Sequence, residues 1–487
     1  MPTPANYRDV REAIAFLPAD VSNDAIGNSA PKLEDMYAPE THAAALDPTT
    51  PIVLGARGTG KSFWSGVLGS DELRNAAATA YPRLGLTRLD VQFGYTGIAG
   101  PRGVGRAKLD QCLAPDVGIE EARVFWWATI LRALHSVSTE PPPNLPQIMP
   151  VARDLDAREA KLSQAEDALG NSGKTLLLVY DALDTVATSW PRRRLLTQAL
   201  LEVVWEMRAY RSVRMKLFMR PDQIEDDELR FVELPKLRSG AVRLDWSGLD
   251  LYGLLFARLS LGEAKVPFGR VLSSLRLAAA SRDEILARQW SLGREVEDQQ
   301  RLMTALAGEF MADGDHGYKK GKTYDWPLKH LADAFDEVTP RSFLGLLIAA
   351  AKFGVAPPQR VITPAGIQQG LRAASKTRVD QLHQEFPWIK GVLAPLAGLL
   401  LPQKEQEVFK VWRRAGTLPA AIVDASKEGY LPPVQPSEGG VAAKELDLYT
   451  ALERIGVMSR RKDNRIDMPD LFRVAAKLLK KGGTAPL

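Results

Sequence analysis

Short apolar runs, each closed by a polar or glycine-rich step, punctuate the first half of the chain. Pro51 to Leu54 ends in Gly55-Ala56-Arg57-Gly58-Thr59-Gly60-Lys61-Ser62 and passes into Phe63-Trp64-Ser65-Gly66-Val67-Leu68. That order reads as strand, glycine loop, helix. Thr175 to Tyr180 ends in Asp181-Ala182-Leu183-Asp184, and Met215 to Met219, Ala241 to Trp246 and Leu86 to Phe93 read as further strands. Helical patterns separate them, notably Arg192 to Tyr210. The alternation predicts an α/β fold around a mostly parallel sheet.

More than a hundred residues part the glycine loop from the run at Thr175. One βαβ crossover does not need so many, so residues 94–172 read as an insertion. It holds the Gly/Arg-rich piece Gly94 to Arg106, an aromatic helix around Phe125-Trp126-Trp127, and the proline cluster Pro141 to Pro146. The prolines read as a loop before a charged helix from about Val151 to Leu169. Trp126, Trp127, Trp190 and Trp205 sit in apolar or helical contexts and read as core.

From Leu249 the pattern turns helical. The expected organisation is a loop-bearing domain over 1–248, a helical lid over 249–356, a helical connector over 357–402 and a last domain over 403–487. In that last segment Val457-Met458-Ser459 and Arg465-Ile466-Asp467-Met468 flank a polar tip, Arg460 to Asn464. Helices followed by two short strands around a charged tip look like a winged helix.

Composition narrows the class. With 487 residues, 45% hydrophobic and 25% charged, the chain has material for large cores, which excludes a disordered or fibrous protein. A formal charge of +4 is too small for a nucleic-acid coat, so any basic surface is local. The lone Cys112 forms no internal disulfide, and His42, His135, His316, His330 and His383 show no metal-ligand spacing. Arg8, Asp9, Arg11 and Glu12 interrupt the N-terminus as a secretory signal. Phe343 to Ala351 and Val392 to Leu401 fall short of the roughly 20 residues that cross a bilayer. The expectation is a cytoplasmic protein with no membrane partner.

The candidate chemistry begins at the glycine loop. Gly55, Gly60, Lys61 and Ser62 satisfy G-x-x-x-x-G-K-[ST], in which backbone amides and a helix N-terminus surround phosphate oxygens. Residues Gly55 to Phe63 are the expected cradle: Lys61 reaches the terminal phosphates and Ser62 ligates Mg²⁺. Asp181 should emerge at a strand's C-terminal edge facing that Mg²⁺. Ala182 stands where a neighbouring Glu is usual, which leaves Asp184 either to position the attacking water or to cap the next segment. No Asn-Lys-x-Asp stretch is present, which disfavours GTP.

Asp181-Ala182-Leu183-Asp184 resembles the Walker B segment of NACHT and related STAND ATPases, a branch close to AAA+. Lys216-Leu217-Phe218-Met219-Arg220 is similar to their sensor-arginine strand, although Arg220 has an alternative partner in Asp222. Leu249 to Leu259 is like the start of a helical lid. Thr339-Pro340-Arg341-Ser342-Phe343-Leu344 resembles a second sensor, in which Arg341 either reaches the phosphates or forms a plain ion pair. The resemblance covers Pro51 to Lys352 and departs from the family in the long insertion, the absent acid beside Asp181 and the lack of a repeat array. It implies an ATP- and Mg²⁺-dependent hydrolase that switches between ATP and ADP states, with self-association or a protein partner, and in bacteria a role in phage defence. Two other readings stay open: a DNA-associated AAA+ ATPase, and a nucleotide-locked scaffold with little hydrolysis.

From Met458 to Lys481 eight cations (Arg460, Arg461, Lys462, Arg465, Arg473, Lys477, Lys480, Lys481) face three carboxylates, Asp463, Asp467 and Asp470. A basic wing and a basic final helix would suit DNA phosphates, with Arg460, Arg461, Lys462 and Arg465 the candidates. The same charges also suit a solvated surface or an internal clamp. Lys319-Lys320-Gly321-Lys322 reads as a solvated loop.

Overall fold

The computed structural model describes residues 2–18, 31–98, 103–135, 143–226, 229–355, 357–428 and 443–486. It divides into two compact units, Val21–Asp245 and, together, Met1–Asp20 with Trp246–Leu487.

Val21–Asp245 is an α/β, P-loop-NTPase-like unit. Its strands are β1 (Ile52–Leu54), β2 (Leu89–Phe93), β3 (Tyr95–Gly97), β4 (Val104–Gly105), β5 (Thr175–Tyr180), β6 (Val213–Met219) and β7 (Val242–Arg243). Five form one sheet in the order β2-β5-β6-β1-β7, and every pairing in it is parallel. Leu176 to Tyr180 are fully buried, which explains an unbroken apolar run rather than an alternating one. The expected strand at Ala241 to Trp246 is shorter, because β7 is an edge strand paired only with β1.

The insertion supplies core. Trp126 is fully buried on the helix Ile119–Leu134 and packs edge-on to Tyr95, Phe125 and Tyr180 with ring centroids 5.0 to 6.3 Å away. Its indole N–H donates to Leu196 O at 2.9 Å, so the polar end of the ring is satisfied inside. Trp127 and Trp190 are buried and Trp205 is half-buried.

The proline cluster departs from expectation. Asn144 caps a helix over Leu145–Arg153 with Pro146 in its first turn, where a missing N–H costs nothing. The cluster therefore opens a helix, and a second one, Leu155–Ser172, starts after Asp154, whose carboxylate accepts from Ala157 N at 3.1 Å. Pro141 and Pro142 lie outside the described residues, as do residues 99–102 of the Gly/Arg-rich piece and Ala356 at the expected end of the lid.

The other unit is mainly helical, with Gly248–Leu261, Lys265–Ser274, Val296–Ala307, Pro340–Lys352 and Pro364–Glu385 as its longer members up to residue 385. The first helix of the chain, Pro4–Phe16, belongs here and packs on Lys265–Ser274 and Pro340–Lys352. Arg11 on that helix is buried and donates to Phe353 O at 2.7 Å, Gly354 O at 3.1 Å and Val361 O at 3.1 Å. Further strands are β8 (Leu400–Leu401), β9 (Ser459–Arg460), β10 (Ile466–Asp467) and β11 (Leu479–Lys480). β9 and β10 form the antiparallel hairpin expected around the charged tip, and β8 pairs in parallel with β11.

The expected basic final helix is not there. Helix Asp470–Arg473 is one turn long, and the chain then returns as β11. The fully buried Arg473 explains the return: its guanidinium donates to Asp470 Oδ1 at 2.6 Å, Leu478 O at 2.9 Å and Thr484 O at 2.9 Å. Among the described residues no helix is long and apolar enough to cross a membrane.

Candidate nucleotide site

Parallel pairing puts every C-terminal strand end of the five-stranded sheet on one edge, and the polar residues closing the apolar runs gather there. Leu54 of β1 stands beside Met219 of β6, and the Gly55 N–H donates to Met219 O at 3.1 Å. β6 separates β1 from β5, so Arg220 follows the strand between the loop and Asp181. The edge thus carries loop, arginine and carboxylate in that order.

The loop turns on Gly58 and Gly60, at φ of 91° and 103°, a region where a β-carbon costs about 1–2 kcal/mol. Gly60 is also the N-cap of the helix Lys61–Gly69 and has no side chain to cap it, which leaves the first-turn amides to a ligand. Lys61 Nζ donates to Gly55 O at 2.6 Å and Ala56 O at 3.1 Å, folded over its own loop. Thr59 is buried and its hydroxyl donates to Ala56 O at 2.9 Å. Ala56, Arg57, Ser62 and Phe63 are half-buried around it.

Asp181 is 3% exposed. Burial pushes its carboxyl pKa up, opposed by hydrogen bonds from the Ser62 hydroxyl and the Ala182 amide and by the charge of Lys61, while Asp184 pushes it further up. A hydroxyl and a carboxylate facing each other beside the glycine loop are hard oxygen donors of the kind that suits Mg²⁺. Ala182 adopts a left-handed φ of 54°, which turns the chain so that Asp184 follows in a single 3₁₀ turn.

Arg220 is 6% exposed and meets its anticipated alternative partner, Asp222, together with Asp184. It grips Asp222 through two bonds, 2.9 and 2.5 Å, and its other terminal nitrogen lies 3.8 Å from an Asp184 oxygen. Burial works against the Asp222 charge, yet Arg220 and Arg193 hold its pKa below the ordinary value. The structure therefore brings together Gly55 to Phe63, Asp181, Asp184 and Arg220. Arg341 belongs to the other unit, on the first turn of Pro340–Lys352, where Pro340 takes the first position and Thr339 caps.

Two supports escaped the sequence reading. Trp64, on the loop's helix, donates through Nε1 to His42 Nδ1 at 3.0 Å, so His42 Nε2 carries its proton to Asp245 O at 3.0 Å. His42 is fully buried, and burial lowers its pKa to about 4 against the pull of that backbone bond. Lys216 on β6 is fully buried and donates to Ala45 O, Asp47 O and Thr50 O at 2.8, 2.9 and 2.7 Å, fixing the segment that leads into β1. Burial lowers its pKa to about 7, with Asp47 opposing. Neither His nor Lys has a sequence neighbour that hints at its partner.

The nucleic-acid candidates lie in the other unit, and most are neutralised there. Arg460 pairs with Glu405 and stacks over Tyr449 at 5.1 Å, Arg461 pairs with Asp467 at 3.3 Å, and Arg465 with Asp463 at 2.7 Å. Lys480 also reaches Asp467, at 3.4 Å. Lys462, Lys477 and Lys481 are exposed and, among the described residues, in no ion pair.

No known family model matches the chain, and no curated protein does. Among solved structures, that of the Aeropyrum pernix ORC2 protein, in ADPNP–ADP complexes, is 12% identical over 90% of this chain and 88% of its own, with a TM-score of 0.28. A score that low carries no argument. The strand order and the loop carry the fold assignment.

Proposed function

We propose that the protein binds ATP with Mg²⁺ at Gly55 to Phe63, hydrolyses it, and uses the nucleotide state as a conformational switch. The observation that supports this reading is the Ser62 hydroxyl bonded to the buried Asp181 carboxylate beside Lys61. Ser62 and Asp181 would hold Mg²⁺, which when bound neutralises charge on the phosphate oxygens. Lys61, now spent on two loop carbonyls, has phosphate oxygens as stronger acceptors to turn to. Asp184 is the partly exposed carboxylate of the edge and the candidate to orient and deprotonate the attacking water. Arg220, locked by Asp222 and already touching Asp184, is placed to sense charge at the γ-phosphate position. Arg341 as a second sensor, and a STAND-like assembly step, rest on the sequence resemblance.

The test is ATP binding and phosphate release with Mg²⁺. Lys61→Ala should remove binding, and Asp181→Asn should keep nucleotide while losing turnover. Unchanged activity in Lys61→Ala overturns the reading. The DNA-associated alternative predicts salt-sensitive DNA binding that falls when Arg460, Arg461 and Arg465 are neutralised, and there the phosphates would have to replace Glu405, Asp467 and Asp463 as partners.

A further inference from the structure

At the opposite edge of the same sheet, where the strands begin, lies a cavity of about 350 Å³. Pro48 to Pro51 form one wall, Val204, Met207, Met215 and Leu237 supply apolar lining, and Arg208, Arg214 and Lys236 contribute the charge. No carboxylate lines it. The volume matches the small end of ligand pockets and would take a molecule of about mononucleotide size.

The charge is arranged rather than incidental. Arg208 and Lys236 lie over the ring of one indole, Trp205, at 4.4 and 5.2 Å from its centroid. Gathering two cations on one ring costs repulsion unless an anion joins them. Glu233 pairs with Lys236 at 2.6 Å. Arg208 and Arg214 have no carboxylate within ion-pair distance among the described residues, and Arg214 Nε donates to Arg211 O at 2.9 Å. The nearby Glu206 is taken by Arg123. The wall is held open by Lys216, which fastens Ala45, Asp47 and Thr50 from behind, so the cavity is formed before a ligand arrives.

We propose that this cavity binds a small phosphate monoester with an apolar body: the guanidinium groups of Arg208 and Arg214 take the phosphate oxygens, and the methionine and leucine lining takes the body. The site is separate from the glycine loop, which lies beyond the other end of β1.

The experiment titrates phenyl phosphate, inorganic phosphate and phenol into the full chain by calorimetry, for the wild type, Arg208→Gln/Arg214→Gln, Lys236→Gln and Lys61→Ala. The expected result is that phenyl phosphate binds more tightly than either fragment, weakens at least about tenfold in the double variant and severalfold in the exposed Lys236→Gln, and is unchanged in Lys61→Ala. No binding by the wild type, equal binding by all variants, or loss confined to Lys61→Ala overturns the proposal. The last outcome would assign the phosphate to the glycine loop, and ATP binding by the double variant separates the two sites.

Discussion

Asp181 is held where its charge is expensive. Its pKa is raised, so the folded chain keeps the proton more tightly than the unfolded one, and the cost to stability builds as pH rises from the ordinary 3.8 to the folded pKa and is complete above it. Asp181→Asn, which has no charge to bury, should therefore raise the melting temperature of the nucleotide-free protein at neutral pH. It should also abolish the Mg²⁺-dependent part of ATP stabilisation, and melting with and without Mg²⁺ATP reads both effects. His42 works with the opposite sign. Its folded pKa of about 4 lies below the unfolded 6.5, so the unfolded chain binds more protons between those values. The stability due to neutral His42 is complete above pH 6.5 and drains as pH falls toward 4, by about 3 kcal/mol in all. Urea midpoints across that window should fall in the wild type and flatten in a variant lacking the imidazole.

At the scale of elements, the last turn of the chain hangs on one guanidinium. Arg473→Met would leave Asp470 buried with His330 as its remaining partner and strip Leu478 O and Thr484 O of their donor. A loss on the order of 3 kcal/mol in denaturant unfolding is expected. That guanidinium also explains why β11 stands where a basic final helix is expected: the run of cations is legible in the sequence, and the pull of one buried cation on the carbonyls of Leu478 and Thr484 is not. The proline cluster failed for a neighbouring reason, since Pro146 is as compatible with a first helical turn as with a loop. By contrast Thr175–Tyr180 was legible at both ends, because a strand buried on both faces leaves an unbroken apolar run and Asp181 marks its exit. The loop residues and Asp181, Asp184 and Arg220 could be named in advance because each sits at the end of such a run. His42 and Lys216 could not, because their partners depend on tertiary folding and the residues around them carry no pattern.

For the molecule as a whole, the basic surplus of the C-terminal segment overstates what a polyanion would meet. Arg460, Arg461, Arg465, Arg473 and Lys480 are answered by acids of the same unit, leaving Lys462, Lys477 and Lys481. Duplex DNA binding through this surface should then show a log–log salt slope no steeper than about −3, by the rule of roughly 0.9 per phosphate neutralised. Fluorescence anisotropy between low and physiological salt measures it, and a slope twice as steep would mean that the internal pairs open for DNA.

The placement of the first helix bears on how the chain is made. Pro4–Phe16 is synthesised ahead of Val21–Asp245, yet the carbonyls that Arg11 holds belong to Phe353, Gly354 and Val361, 342 to 350 residues later. At about 5–20 residues per second, tens of seconds of synthesis separate the helix from its partners, while all of Val21–Asp245 emerges in between. The whole of Val21–Asp245 is therefore synthesised while Arg11 still lacks the carbonyls it will hold, so this helix can dock only after the α/β unit has been made.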